Sequence, residues 1–246
     1  MSTSVSHRIR ARRVSAAIAL GAALAATLLG GCSRLLPPGA TPIPPAASAE
    51  STASTATPLS AVEVRDYKGK RLDGVADEPE NSIKGPQYID KSSYRLSIEG
   101  EVATPLVLSY SDVTSMPSYQ KATTLNCVEG WSVTYLWQGV RLSDLLARAG
   151  YDRSAKIVIF KSYDGYSTSL PLDYLESRNI LLAYRMNGLE IPPERGWPFQ
   201  VVAEDRFGYK WAKWITSIEV SDDAEYRGYW EQRGYDNSAT IPGAAN

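Results

Sequence analysis

Histidine and cysteine are nearly missing from this chain of 246 residues, which holds one of the first and two of the second. The histidine is His7, ahead of an apolar run at residues 14–29, and the cysteines are Cys32 and Cys127. With the N-terminal segment read as a leader that export removes, the body has no histidine. A Cys–His catalytic pair is then excluded, as are the common zinc sites built from several Cys and His. A haem iron would lack its usual axial imidazole. Charge of one sign is missing too: 26 basic residues against 27 acidic give a net of −1. No basic stripe points to nucleic acid, and no long acidic tail points to a charged partner. Phenylalanine is scarce at 3, whereas 15 Tyr and 6 Trp are present. Rings with a polar tip suit half-buried strands and sites that must hydrogen-bond.

The first residues read as a targeting segment rather than structure. His7, Arg8, Arg10, Arg12 and Arg13 form a basic region. The apolar run behind it is about 16 residues, short of the roughly 20 that a comfortable membrane span needs. It ends in Leu29-Gly30-Gly31-Cys32, which resembles a bacterial lipobox. On that reading residues 1–31 are removed as a signal peptide, and Cys32 becomes a lipidated N-terminus that ties the protein to a membrane. The competing reading is an ordinary signal peptide or anchor helix with an incidental cysteine. Arg12-Arg13 admits twin-arginine export alongside the general route. Residues 37–61 are almost entirely Pro, Ala, Ser and Thr. Such a segment cannot bury a core, so residues 32–80 are expected to be a tether, with a reach on the order of 30 Å from its unstructured part.

Strand patterns begin near residue 81. Tyr94, Leu96 and Ile98 alternate with Arg95, Ser97 and Glu99 as a half-buried strand, with a further strand at Leu106, Val107 and Leu108. Residues 156–160 and 199–202 look like central strands, and residues 214–220 alternate again. Helices are expected at 142–149, with Ser143 or Asp144 near its start and Gly150 past its end, and at 171–176, opened by Pro171. Asn187-Gly188 is a hairpin signal. The pattern predicts a β-rich, mixed α+β single domain over 81–222. A tail at 223–246, with Tyr226, Tyr229, Trp230 and Tyr235, is too aromatic to stay free and is expected to pack back.

Cys127 then has no internal disulfide partner, because Cys32 is committed to lipid. An unpaired thiol in an oxidising compartment is a liability. It is a buried small hydrophobe, a cross-link to another chain, a nucleophile or a metal ligand. Composition alone favours the first. A metal reading needs a centre that accepts one soft protein ligand and brings the others with it, as molybdenum or tungsten held by a pterin dithiolene does.

The surrounding residues bear on that choice. Thr124-Leu125-Asn126-Cys127-Val128-Glu129-Gly130-Trp131-Ser132 resembles the metal-ligand segment of the sulfite oxidase-type molybdopterin domain. The likeness is greatest to its bacterial protein-methionine-sulfoxide reductase branch. It continues in Ile98-Glu99-Gly100-Glu101-Val102, Pro105-Leu106, Trp137-Gln138-Gly139-Val140 with residues 142–146, Asn187-Gly188, Pro192-Pro193 and Phe207 to Trp214. The resemblance implies a mixed α+β fold around a molybdenum–molybdopterin cofactor, or its tungsten form, and oxygen-atom transfer on a small-molecule substrate. Cys127 falls on the metal ligand. Ser162 falls where the reductase branch has a pterin-contacting Thr, and Trp211, Ala212 and Lys213 fall on the segment that holds the pterin phosphate. Asn81 matches an early cofactor-binding Asn loosely.

Two departures stand out. Where the reductase branch reads N-G-x-P-x-R, this chain has Arg195-Gly196-Trp197-Pro198-Phe199-Gln200. Arg195 is expected to supply the phosphate contact given up at Gln200; the other reading is a site for a different pterin form, or one that binds poorly. No stretch resembles the immunoglobulin-like or haem domain of eukaryotic sulfite oxidases. Electrons are therefore expected to pass to a separate partner, a cytochrome or a quinone-linked membrane protein. The alternative to an enzyme is a non-catalytic lipoprotein that reuses the fold as a binding or assembly module.

Overall fold

The computed structural model describes residues 63–244. The leader at 1–31, Cys32 and the Pro/Ala/Ser/Thr stretch up to residue 62 lie outside the described residues. Two five-stranded sheets and three short α-helices make up the described body, as the β-rich α+β pattern predicts.

The first sheet is framed by β3 (Leu96–Gly100), β4 (Leu106–Leu108), β7 (Ile157–Ser162), β8 (Ser167–Pro171) and β12 (Ile215–Ser221), in the order β4-β3-β12-β7-β8. Only β3 and β12 run parallel. Leu96 and Ile98 of β3 are buried while Ser97 and Glu99 are half-buried, the alternation expected of a strand with one covered face. The second sheet holds β5 (Tyr119–Asn126), β6 (Ser132–Arg141), β9 (Leu181–Met186), β10 (Leu189–Glu190) and β11 (Gln200–Val202), with β9 at its centre. A small hairpin of β1 (Asp66–Tyr67) and β2 (Lys70–Arg71) precedes both.

Local sequence explains the joints. Helix α2 (Leu142–Ala149) buries Leu142, Leu145, Leu146 and Ala149, and stops at Gly150, whose φ of 66° is the left-handed cap that glycine adopts without strain. Its start has no side-chain cap; Arg141 occupies the capping position, not Ser143 or Asp144. Helix α3 (Leu172–Ser177) starts one residue later than the sequence suggests, because Pro171 is the last residue of β8 and caps the helix from outside. Gly139 lies at a register shift between β6 and β9, and an added Cβ would sit 2.1 Å from Leu182 O. Helix α1 (Tyr110–Thr114) is too short for a periodic signal; it is marked by a Ser109/Asp112 capping box.

Residues 63–80 correct an expectation. Assigned to the tether at residues 32–80, they are packed into the body. Leu72 and Val75 are buried, and Asp73 N donates to Thr134 O at 2.9 Å while Asp73 Oδ2 accepts from Thr134 N at 2.7 Å. Glu63 Oε1 accepts from Val75 N at 2.7 Å and from Asn187 Nδ2 at 2.9 Å. These carboxylates satisfy backbone donors, a use that hydropathy does not reveal.

Asn187 and Gly188 make the expected hairpin turn, with φ of 49° and 81°, and Met186 pairs with Leu189. Asn187 does more than turn the chain. Its Oδ1 accepts from Leu136 N at 2.9 Å, and its amide donates to Glu63 and to Asp73 O. Asn187→Ala leaves the Leu136 N–H buried without that partner, so unfolding in urea should show a loss of about 2–4 kcal/mol. Gly188→Ala, which strains the turn and brings a Cβ within 3.2 Å of Val64 Cγ2, should cost about 1 kcal/mol.

Candidate active site

Cys127 is the first residue after β5. The turn that follows closes when Cys127 N donates to Trp131 O at 2.9 Å and Gly130, at φ 90°, donates to Cys127 O at 3.1 Å. This short hairpin end holds the sulfur at the edge of the second sheet. Asn81 Nδ2 donates to Cys127 Sγ at 3.6 Å, and Sγ in turn faces Glu129 Oε2 at 3.6 Å. Trp131 Nε1 fixes that carboxylate at 2.9 Å. Burial pushes the Cys127 thiol above its ordinary value; the Glu129 carboxylate adds to this, while the Glu129 backbone N–H and the Asn81 amide pull the other way. A metal would override this balance, since coordination removes the thiol proton outright.

A second segment meets the first here. Asn126 bridges Phe207 in parallel, and Gly208 follows in a single 3-10 turn (Gly208–Lys210). A Cβ at Gly208 would come within 3.2 Å of Leu125 Cδ2 and 3.7 Å of Cys127 Cα. The chain then runs through Trp211, Ala212 and Lys213 into β12. Lys213 Nζ donates to Glu78 Oε1 at 2.8 Å, and both side chains are largely buried. Lys210, in the turn, is wholly buried. It donates to Glu231 Oε1 at 2.5 Å, Ser169 O at 3.0 Å and Asn237 Oδ1 at 3.1 Å, and burial pushes its ammonium down while Glu231 pushes back.

Between these segments lies a cleft whose empty space is about 740 Å³, part of it open to solvent. Of the residues singled out from sequence, Asn81, Cys127, Trp211, Ala212 and Lys213 line it together. Ser162 and Arg195 do not. Ser162 ends β7 near the cleft-lining Asp164, and its buried hydroxyl has no protein partner. Arg195 is committed elsewhere: Nε donates to Val75 O at 2.9 Å and a terminal nitrogen to Ala76 O at 3.3 Å. Its guanidinium braces residues 75 and 76, and its remaining terminal nitrogen is buried without a partner. Cys32 lies outside the described residues.

Further residues complete the wall. Asp164 carries a carboxyl raised by burial, against the pull of Tyr166 N at 2.9 Å. Ser82 and Ile83, which sequence reasoning missed, come from the stretch between β2 and β3. Trp230 and Tyr235 come from the tail, whose density of aromatics was the one available signal. Among the described residues no group of three His, Cys, Asp or Glu side chains is placed to hold a metal ion. A metal here must bring most of its ligands with it. A molybdenum–pterin fits that lining: one soft thiol, an ammonium within the same cleft, and the buried Ser82 hydroxyl, which still lacks a partner.

Comparison with known proteins agrees with this chemistry. Residues 83–230 match the family described as the oxidoreductase molybdopterin binding domain. The uncharacterized oxidoreductase YuiH of Bacillus subtilis is 37% identical over 151 residues, covering 61% of this chain and 76% of that one. The protein-methionine-sulfoxide reductase catalytic subunit MsrP of Ralstonia nicotianae is 29% identical over 86% of this chain and 68% of its own. Human mitochondrial sulfite oxidase is 30% identical over 60% of this chain, which spans only 32% of that enzyme. Among solved structures, the sulfane dehydrogenase SoxCD of Paracoccus pantotrophus shares the fold, with a TM-score of 0.56 at 23% identity over 75% of this chain and 59% of its own.

The Lys210–Glu231 pair generates a stability test. Glu231→Leu strands a buried ammonium and should destabilise the protein by about 3–5 kcal/mol in chemical denaturation. Adding Lys210→Met removes the stranded charge and should recover most of that loss.

Proposed function

The chain belongs to the oxidoreductase molybdopterin-binding domain family and is a molybdopterin-dependent oxidoreductase; from that premise we propose that it transfers an oxygen atom to or from a small sulfur-centred substrate, sulfite- or sulfoxide-like, in the Cys127 cleft. The observation that carries the reading is the placement of Cys127, the one free cysteine among the described residues, in a single cleft with Asn81, Trp211, Ala212 and Lys213. The printed names of the sulfoxide reductase and sulfite oxidase relatives support a sulfur-centred substrate.

When bound, the cofactor supplies two-electron chemistry coupled to oxygen-atom transfer. The protein's contribution is positioning. Cys127 bonds the metal as a thiolate, and the Asn81 amide, already directed at the sulfur, stabilises the negative charge. Lys213, with the backbone of Trp211 and Ala212, holds the pterin phosphate through charge-assisted hydrogen bonds. Glu78 keeps the Lys213 ammonium in place by its 2.8 Å contact. Ser162 and Arg195 are left out of the proposed set because neither lines the cleft. Glu129 and Asp164, one clamped by Trp131 and one by Tyr166 N, fix the walls against which substrate and water compete.

Export and attachment to a membrane through lipidated Cys32 complete the proposal, on the strength of the leader composition and the Leu29-Gly30-Gly31-Cys32 run. The catalytic domain then works on the extracytoplasmic side, and a separate electron carrier supplies or removes the electrons.

Protein purified from a host that makes the cofactor should contain stoichiometric molybdenum by mass spectrometry, and tungsten would register in the same spectrum. Cys127→Ser should lose most of the metal, and Lys213→Met should weaken its retention about tenfold or more. Metal-free wild-type protein from such a host would overturn the reading and leave the non-catalytic module standing.

A further inference from the structure

Two residues of the cleft wall, Trp230 and Tyr235, belong to the C-terminal tail and not to the strands that frame the site. The tail is built into the fold at several independent points. Gly228 approaches β8 so closely that a Cβ would sit 2.2 Å from Ser167 O, and Tyr229 N donates to that same oxygen at 2.8 Å. Glu231 accepts from buried Lys210 at 2.5 Å and from Thr168 Oγ1 at 2.6 Å. Phe207 N, beside the cleft, donates to Ala239 O at 2.9 Å.

Between these anchors Gly234, at φ 96°, turns the chain so that Tyr235 returns onto Trp230, with ring centroids 5.2 Å apart. Tyr235 also meets Tyr209, another lining residue, at 5.3 Å, edge to face. The rings are thus held rigidly, yet Tyr235 remains 37% exposed, and Val128, next to Cys127, is 45% exposed. Rigid aromatic surface of this kind gives contact area at little entropic cost. The charged side chains lining the cleft are Glu129, Asp164 and Lys213, and none of them belongs to this lip.

We propose that Trp230 and Tyr235 are specificity-determining residues: with Tyr209 and Val128 they form an uncharged aromatic lip that seats a bulky apolar or aryl substituent of the substrate while the reacting sulfur reaches the Cys127 end of the cleft. The inference rests on the reading that substrate reacts in this cleft. It adds a substrate preference, large apolar substituents over small hydrophilic ones.

The test compares methyl p-tolyl sulfoxide with dimethyl sulfoxide as substrates of the full-length enzyme, using an artificial electron donor. In each case the S–O bond breaks and the thioether and water form, the electron pair coming from the donor and the protons from solvent. Trp230→Ala and Tyr235→Ala should each lower the aryl-to-methyl ratio of kcat/KM about tenfold, whereas Tyr235→Phe should keep it. Ratios unchanged in both alanine variants overturn the proposal, as does an equal fall in Tyr88→Ala, an exposed tyrosine away from the cleft.

A second measurement needs no turnover. In metal-free full-length protein carrying Cys32→Ser, alkylation of Cys127 by N-phenylmaleimide is compared with N-methylmaleimide, each rate normalised to glutathione. Wild type should favour the phenyl reagent, and both alanine variants should lose that preference; absence of the preference in wild type, or its survival in the variants, overturns the lip. If wild type reduces neither sulfoxide, sulfoxide turnover falls from the proposed function, and the alkylation ratio alone still decides for or against the lip.

Discussion

The parallel bridge between Asn126 and Phe207 joins the end of the strand that presents Cys127 to the segment that presents Lys213. Neither side would make a site alone. The thiol comes from a tight turn at the margin of one sheet, and the ammonium from the approach to β12 in the other. They share a cleft because Gly208 lets two backbones lie within side-chain distance, where a Cβ would crowd Leu125 at 3.2 Å. The same contact sets where Trp211 and Ala212 offer their backbones. A shift of this bridge by one residue would move the proposed phosphate-holding groups away from the sulfur while leaving both sheets intact.

Charge around the cleft is arranged for position more than for stability. Lys210 and Lys213 are each buried against a carboxylate, Glu231 and Glu78 respectively. Buried ion pairs return little net stabilisation once desolvation is counted, but breaking one is expensive. Both pairs therefore constrain geometry. Lys210–Glu231 fixes the tail to the turn that opens the cofactor segment, and Lys213–Glu78 ties residues 63–80 to its end. The carboxylates next to the sulfur act differently. Glu129, whose Oε2 lies 3.6 Å from the sulfur, is tied to Trp131 Nε1 at 2.9 Å.

Much of this arrangement was legible before the fold was known. The single cysteine of the body, the residues flanking it and the run from Phe207 to Trp214 pointed to the elements that meet in the cleft. The alternation around Leu96 and Ile98, the Gly150 stop and the Asn187-Gly188 turn gave three local structures correctly, because each depends on neighbours in sequence. What escaped notice depends on neighbours in space. Residues 63–80 looked like tether because their charges have no periodic pattern, yet Glu63 and Asp73 satisfy backbone donors of distant segments. Arg195 looked like a replacement phosphate ligand because only the swap with Gln200 was visible. What the pattern did not show is that two of its guanidinium nitrogens meet the carbonyls of Val75 and Ala76, more than a hundred positions away in the chain. The long β5–β6 hairpin went unassigned because Tyr119–Asn126 is half-buried along most of its length and shows little alternation.

The account turns on a bond between one sulfur and one metal. Metal-edge X-ray absorption of the purified protein measures it directly, by counting the sulfur atoms in the first coordination shell. The shell should contain the dithiolene sulfurs and one further thiolate, and that thiolate should disappear in whatever metal-bearing fraction of Cys127→Ser can be isolated. A shell with the same sulfur count in both proteins would mean that Cys127 does not touch the metal.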